Sequence, residues 1–108
     1  MTHLPPVDPP QIIVQPADQL DVDPNSTVMF SIVAMTAAGT LSYQWRWDEV
    51  NIASGSGIFG VDSSSLTITN VQESNEGVYR CVVTNDAGST SSNTAQLTVC
   101  KYMCLHML

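Results

Sequence analysis

The 108-residue chain is poor in cations: Arg46, Arg80 and Lys101 stand against ten acidic residues, for a formal net charge of −7. No basic stripe can follow a phosphate backbone, so nucleic acid is not expected as a partner. An anionic membrane surface is disfavoured for the same reason. Cysteine is absent before Cys81, and the other two cysteines, Cys100 and Cys104, fall within the last nine residues. Long apolar runs are also missing. Met1 to Ile12 hold four prolines and no apolar leader core, and no stretch is long enough to span a bilayer. Direct membrane insertion by this segment is therefore not expected. Two origins stay open: a cytosolic protein, or a piece of a longer secreted chain whose leader lies elsewhere.

Helical periodicity is absent too. Apolar and polar residues alternate at the period of a strand in Val28 to Ala34, Leu66 to Ile68, Val78 to Thr84 and Ala95 to Val99. Turn chemistry separates these runs: Asp23-Pro24-Asn25-Ser26, Ala38-Gly39, Ser54 to Gly60, Asn75-Glu76-Gly77 and Asn85-Asp86-Ala87-Gly88. The spacing predicts strands over Ile12–Val14, Gln19–Val22, Thr27–Ala34, Ser42–Trp47, Ser65–Thr69, Val78–Asn85 and Thr90–Val99, with a short extra one near Val50–Ala53. The last two form a hairpin around Asn85 to Gly88, whose asparagine and glycine tolerate positive φ. Short strands at this spacing fit an antiparallel sandwich or barrel, and the length suits one domain with one modest core. Residues 1–10, with Pro5-Pro6 and Pro9-Pro10, read as a stiff lead-in or linker. Residues 11–99 form the domain. Residues 100–108, where Met103, Leu105 and Leu108 come without turn chemistry, read as an appended tail.

Familiar site chemistries do not assemble. His3 and His106 lie at opposite termini, and no serine is placed with a base, so no catalytic site and no small-molecule substrate are expected. Asp21-Val22-Asp23-Pro24-Asn25 has oxygen ligands at alternate positions like a calcium loop. The glycine and the bidentate glutamate that such a loop needs are replaced by Ser26 and Ile32, so the segment reads as an acidic turn. Cys100, Cys104 and His106 fall short of the four ligands of a structural zinc site. No metal or cofactor is expected. Asn25-Ser26-Thr27 is an N-glycosylation sequon on an exposed turn.

The segment Asn75-Glu76-Gly77-Val78-Tyr79-Arg80-Cys81 resembles the strand-F signature of immunoglobulin domains, Asp-x-Gly-x-Tyr-x-Cys, with asparagine in first place. Leu66-Thr67-Ile68-Thr69-Asn70-Val71 resembles the strand-E pattern. Tyr43-Gln44-Trp45 resembles strand C, and Asn85-Asp86-Ala87-Gly88 before Ala95, Leu97 and Val99 resembles the F–G hairpin of the intermediate (I-set) subtype. In order and spacing these matches cover about Pro10 to Val99. The resemblance implies an all-β, antiparallel immunoglobulin-like sandwich of two sheets with Greek-key connections. Tyr79 takes the tyrosine-corner role and Trp45 that of the buried tryptophan. Strand parity turns Phe30, Ile32, Trp45, Leu66, Ile68, Val71, Tyr79, Cys81, Val83, Leu97 and Val99 inward, while Trp47 lies at the rim.

In this family a strand-B cysteine pairs with the strand-F cysteine, and the matching position here is Ile32. The inter-sheet disulfide is therefore missing. With Cys81 opposite roughly Thr94, Cys100 lies about six residues or ~20 Å along the strand, beyond the ~7 Å that a disulfide spans between Cα atoms. Cys81 is expected to be a buried, inert thiol packed against Ile32 and Trp45. The family's aspartate–arginine bridge near the corner is also missing, because Asn75 and Val61 to Ser64 supply neither charge.

The implied function is protein–protein recognition or cell adhesion, homophilic or heterophilic, by one module of a longer cell-surface glycoprotein. The outward face of strands C and F, with Gln44, Arg46, Arg80, Val82 and Thr84, is the expected contact surface, joined by loops Met35–Leu41 and Ser54–Gly60. The alternative is an intracellular structural I-set domain of the giant muscle-protein type, which the free thiols suit.

Overall fold

The computed structural model describes residues 8–37 and 39–101. Eleven strands appear in chain order: β1 (Gln11–Val14), β2 (Gln19–Val22), β3 (Val28–Ser31), β4 (Val33–Met35), β5 (Ser42–Trp47), β6 (Val50–Asn51), β7 (Ile58–Phe59), β8 (Ser65–Ile68), β9 (Gly77–Asn85), β10 (Gly88–Ser91) and β11 (Ala95–Val99). A 3₁₀ turn over Glu73–Asn75 precedes β9. They make two layers. One carries β1 on β4 and β3-β8-β7; the other runs β2-β11-β9-β5-β6, with β10 also on β9. The fold is an all-β sandwich.

Two expected strands are each divided, for hydrogen-bonding reasons. The stretch Thr27–Ala34 breaks at Ile32, whose N–H reaches the Ser64 carbonyl at 3.0 Å. Before the break β3 pairs with β8, and after it β4 pairs with β1. The stretch Thr90–Val99 breaks at Ser92, whose buried hydroxyl replaces a ladder acceptor by taking the Cys81 N–H at 2.9 Å. The Ser92 N–H in turn donates to the Cys81 carbonyl at 2.8 Å. Cys81 therefore faces Ser92 rather than Thr94, which moves Cys100 still further away along the strand. Two further departures are β7, which forms inside the stretch read as turn, and the β2–β11 pair, which runs parallel in a sandwich otherwise antiparallel.

The core fills from both layers as the strand alternation dictates. All eleven residues assigned inward by parity are buried, joined by Val28, Val61 and Ala95. Aromatic rings cross the interlayer space: Phe30 lies 6.4 Å from Trp45 and stacks on Tyr79 at 5.0 Å between centroids. Such contacts contribute beyond simple area burial. The Trp45 indole N–H, which would otherwise be an unpaired buried donor, donates to the Ser63 carbonyl at 2.8 Å.

The segment ends are tied in. Pro10 is buried, and its carbonyl accepts from the Thr90 hydroxyl at 2.6 Å. The Asp8 carbonyl accepts from the Asn85 amide at 2.8 Å. At the other end the Cys100 N–H donates to the Val22 carbonyl at 2.8 Å. Residues 8–10 and 100–101, read from sequence as lead-in and tail, are thus anchored to the sandwich. Residues 1–7 and 102–108, with His3, Cys104 and His106, lie outside the described residues.

Candidate functional site

The β5–β9 ladder positions the expected contact residues. Its register sets Ser42 against Thr84, Gln44 against Val82, and Arg46 against Arg80, while Trp45 lies against Cys81 on the opposite, buried side. Two of the three basic residues of an acidic chain therefore stand directly across from each other on one outward face. Like charges so placed repel. Their surroundings offset this unevenly. Arg80 meets Glu49 at 3.0 Å, whereas the Arg46 Nε donates to the neutral Asn51 amide oxygen at 2.8 Å. The Arg80 Nε is buried with no hydrogen-bond partner among the described residues. Gln44 is held by donations to the Ile52 and Trp45 carbonyls, and Thr84 shares a 2.7 Å hydroxyl contact with Ser89. Val82, opposite Gln44 and half-buried, adds an apolar element to the same face. A half-buried cationic pair framed by amides, hydroxyls and a valine can receive a carboxylate and a small apolar group together.

Glu49 reaches Arg80 because of the turn that carries it. Asp48 and Glu49, with φ of 49° and 68°, form the two-residue loop between β5 and β6. Loops with both central residues at positive φ match strand twist but strain non-glycine residues. The Asp48 carboxylate holds the turn by accepting the Val78 N–H at 2.9 Å. Beside it, Gly77 has φ 148°, and a Cβ there would lie 2.3 Å from the Trp47 indole nitrogen. That proximity is why this strand-F position is glycine.

At the same end of the sandwich, the Tyr79 hydroxyl donates to the Asn75 carbonyl at 2.5 Å. Burial and then the Asp48 charge raise the Tyr79 pKa, so the hydroxyl stays protonated. Trp47, 38% exposed, stacks on Tyr79 at 6.3 Å and donates to the Glu76 carbonyl at 2.9 Å. Asn75 makes no charge pair; its side-chain oxygen instead accepts the Gln72 N–H at 2.8 Å. The Glu76 carboxylate accepts from Lys101 at 2.6 Å and from the Val99 N–H at 2.7 Å. These bonds, Lys101 first, hold its pKa below the usual glutamate range.

Cys81 is free and fully buried, in the same core cluster as Ile32. Desolvation pushes its thiol up to about 11, against a smaller lowering by a backbone hydrogen bond at Gln44. So little thiolate at neutral pH makes a poor nucleophile. Cys100, by contrast, is disulfide-bonded. The Asp23–Ser26 turn places Asn25 exposed at φ 68°. No group of three or more His, Cys, Asp or Glu side chains among the described residues could hold a metal ion.

Sequence reasoning missed Ser92 and the role of Asn85. Asn85 does not adopt positive φ. Its buried side chain builds the β9–β10 turn by accepting the Ala87 and Gly88 N–H groups while donating to Asp8 and Thr36. An Asn-x-x-Gly spacing after a strand is the signal that could have shown this Asx geometry.

Over 103 residues the chain is 30% identical to human protein turtle homolog B, an alignment covering 91% of the chain but only 8% of that protein. Extracellular domains 3–5 of Drosophila OTK superpose with a TM-score of 0.75 at 26% identity, over 86% of this chain and 32% of that one. Titin M4 superposes with a TM-score of 0.72 at 23% identity, over 86% and 97%, a likeness of fold alone. The immunoglobulin domain family model matches residues 9–85. With that match spread over most of the sandwich and both of its layers, the chain belongs to the immunoglobulin domain family.

Proposed function

We propose that this chain is a non-catalytic, I-set type recognition module of a longer cell-surface protein, lacking the inter-sheet disulfide and binding protein partners through the outward β5–β9 face. The observation that carries this reading is the Arg46–Arg80 pair, two cations set directly opposite each other on the outward β5–β9 ladder in a chain of net charge −7. Opposed arginines weaken a ladder unless an acceptor joins them, and a protein surface presenting carboxylates is the partner that matches. Similarity to extracellular domains 3–5 of Drosophila OTK supports the extracellular setting.

A multivalent form of the chain, applied to an array of cell-surface ectodomains that includes the chain itself, tests the reading. Homophilic and heterophilic partners both register there. Arg46→Glu with Arg80→Glu should weaken the selected interaction at least tenfold while Met29→Lys, on the opposite layer, leaves it unchanged. Equal binding by the double variant would remove this face from the function.

A second reading, an intracellular structural domain, draws on one observation: the buried, free Cys81 suits a reducing compartment. Cytosolic targeting of the full-length protein would favour it.

A further inference from the structure

Of the six asparagines in the chain, only Asn25 begins an Asn-x-Ser/Thr triplet. Its setting is that of an acceptor. Pro24 and Asn25 are the central residues of a tight turn closed by the Ser26 N–H donating to the Asp23 carbonyl at 3.3 Å, with Asn25 at φ 68°. Proline followed by a positive-φ asparagine is the type II pattern. Both Asn25 and Thr27 are exposed. The Asn25 main-chain N–H is fixed to the Val71 carbonyl at 2.8 Å, and its side-chain oxygen accepts from the Gln72 amide at 2.6 Å. The side chain is thus anchored through its oxygen, with the amide nitrogen turned away from that bond. Gln72 also lines a cleft of about 420 Å³ with Ser56, Thr69, Asn70, Ser74 and Asn75, a wall of amides and hydroxyls without a formal charge. Such a wall offers donors and acceptors to a neutral polyhydroxyl ligand bearing an acetamido group.

We infer that Asn25 is an N-glycosylation site and that the first N-acetylglucosamine of its glycan seats against the Asn70–Gln72–Asn75 cleft. The inference rests on the extracellular reading above. Chemically, the Asn25 Nδ2–C1 bond forms as the anomeric C1–O bond of a lipid-linked oligosaccharide pyrophosphate breaks. The lipid pyrophosphate leaves, and one amide proton is lost. The first sugar then stands beside the 3₁₀ turn, and the residues fixing Asn25 lie outside the β5–β9 ladder.

The test is expression of the chain behind a secretion leader in animal cells, pooling protein from medium and microsomes. Peptide mapping after amidase deglycosylation in heavy-oxygen water should show Asn25 converted to labelled aspartate in most molecules. Thr27→Ala should abolish the conversion. An unlabelled Asn25 in the pooled protein overturns the inference; binding on the ectodomain array, run with unglycosylated bacterial protein, shows separately whether the recognition reading stands. Trimming to a single sugar isolates the seat. The trimmed protein should melt about 2–4 °C above the bacterial form, and Gln72→Ala should erase the difference. Equal melting of the trimmed and bacterial forms would overturn the seating.

Discussion

Replacing Ile32 by cysteine asks whether the site opposite Cys81 is the vacated half of an inter-sheet bridge. Both residues are buried in one core cluster on facing layers. A bridge between them closes a loop of about 50 residues, which removes about 4 kcal/mol of unfolded-state entropy. Against this stands the lost isoleucine, whose burial contributes about 1.5–3 kcal/mol. The oxidised variant should therefore exceed the wild type by about 1–2.5 kcal/mol, raising the melting temperature by about 4–20 °C. With the bridge reduced, the same variant should fall below wild type by about 1.5–3 kcal/mol. Guanidinium melts of both proteins, with and without reductant, read the two states. The wild type should not respond to reductant through Cys81, which is already free. If Ile32→Cys fails to form the bridge under oxidising conditions, or gains no stability from it, Ile32 does not occupy the position assigned to it.

Four more expectations follow from the geometry. Gly77→Ala forces a Cβ within 2.3 Å of the Trp47 indole nitrogen and should cost about 2–4 kcal/mol through strain and overpacking, read as a lower denaturation midpoint. Tyr79→Phe removes only the hydroxyl bond to Asn75 and should cost about 1 kcal/mol with an unchanged denaturant slope. The native Cys81 thiol, held up at about 11, should resist labelling at neutral pH until the protein unfolds; rapid labelling of native protein would contradict its burial. Glu76 has a folded pKa below its unfolded one. Its contribution is thus present at neutral pH and is lost as pH falls through the folded value, so Glu76→Gln should flatten the acid limb of the stability curve. An unaltered limb would show that the Lys101 and Val99 bonds do not matter to folding.

Much of this fold could be read from single residues, because alternation at period two forces the inward set once a strand is placed. Trp45, Tyr79 and Cys81 needed nothing more. The break at Ile32 was not legible, since the exchange of β8 for β1 as partner depends on chain distant in sequence. Ser92 was hidden for a related reason: a serine within a run of Ser, Thr and Asn gives no sign that its hydroxyl will stand in for a ladder carbonyl. The parallel β2–β11 pair leaves no periodic trace. At the candidate site, parity alone turned Arg46 and Arg80 outward. That they stand directly opposite each other required the β5–β9 register, which only the assembled sheet supplies. Pro10 looked like linker because proline marks stiffness, yet its ring is covered once β10 returns beside it.

The claim that the outward β5–β9 face recognises a protein partner is tested most directly by a hydrogen-exchange footprint of the chain, free and saturated with an ectodomain selected on the array. Slowed exchange should concentrate in β5, β6 and β9, around Gln44, Arg46, Arg80, Val82 and Thr84. It should disappear when the complex is attempted with the Arg46→Glu, Arg80→Glu variant. Protection confined to the opposite layer, around Met29 and Phe59, with β5 and β9 unchanged, would contradict the account.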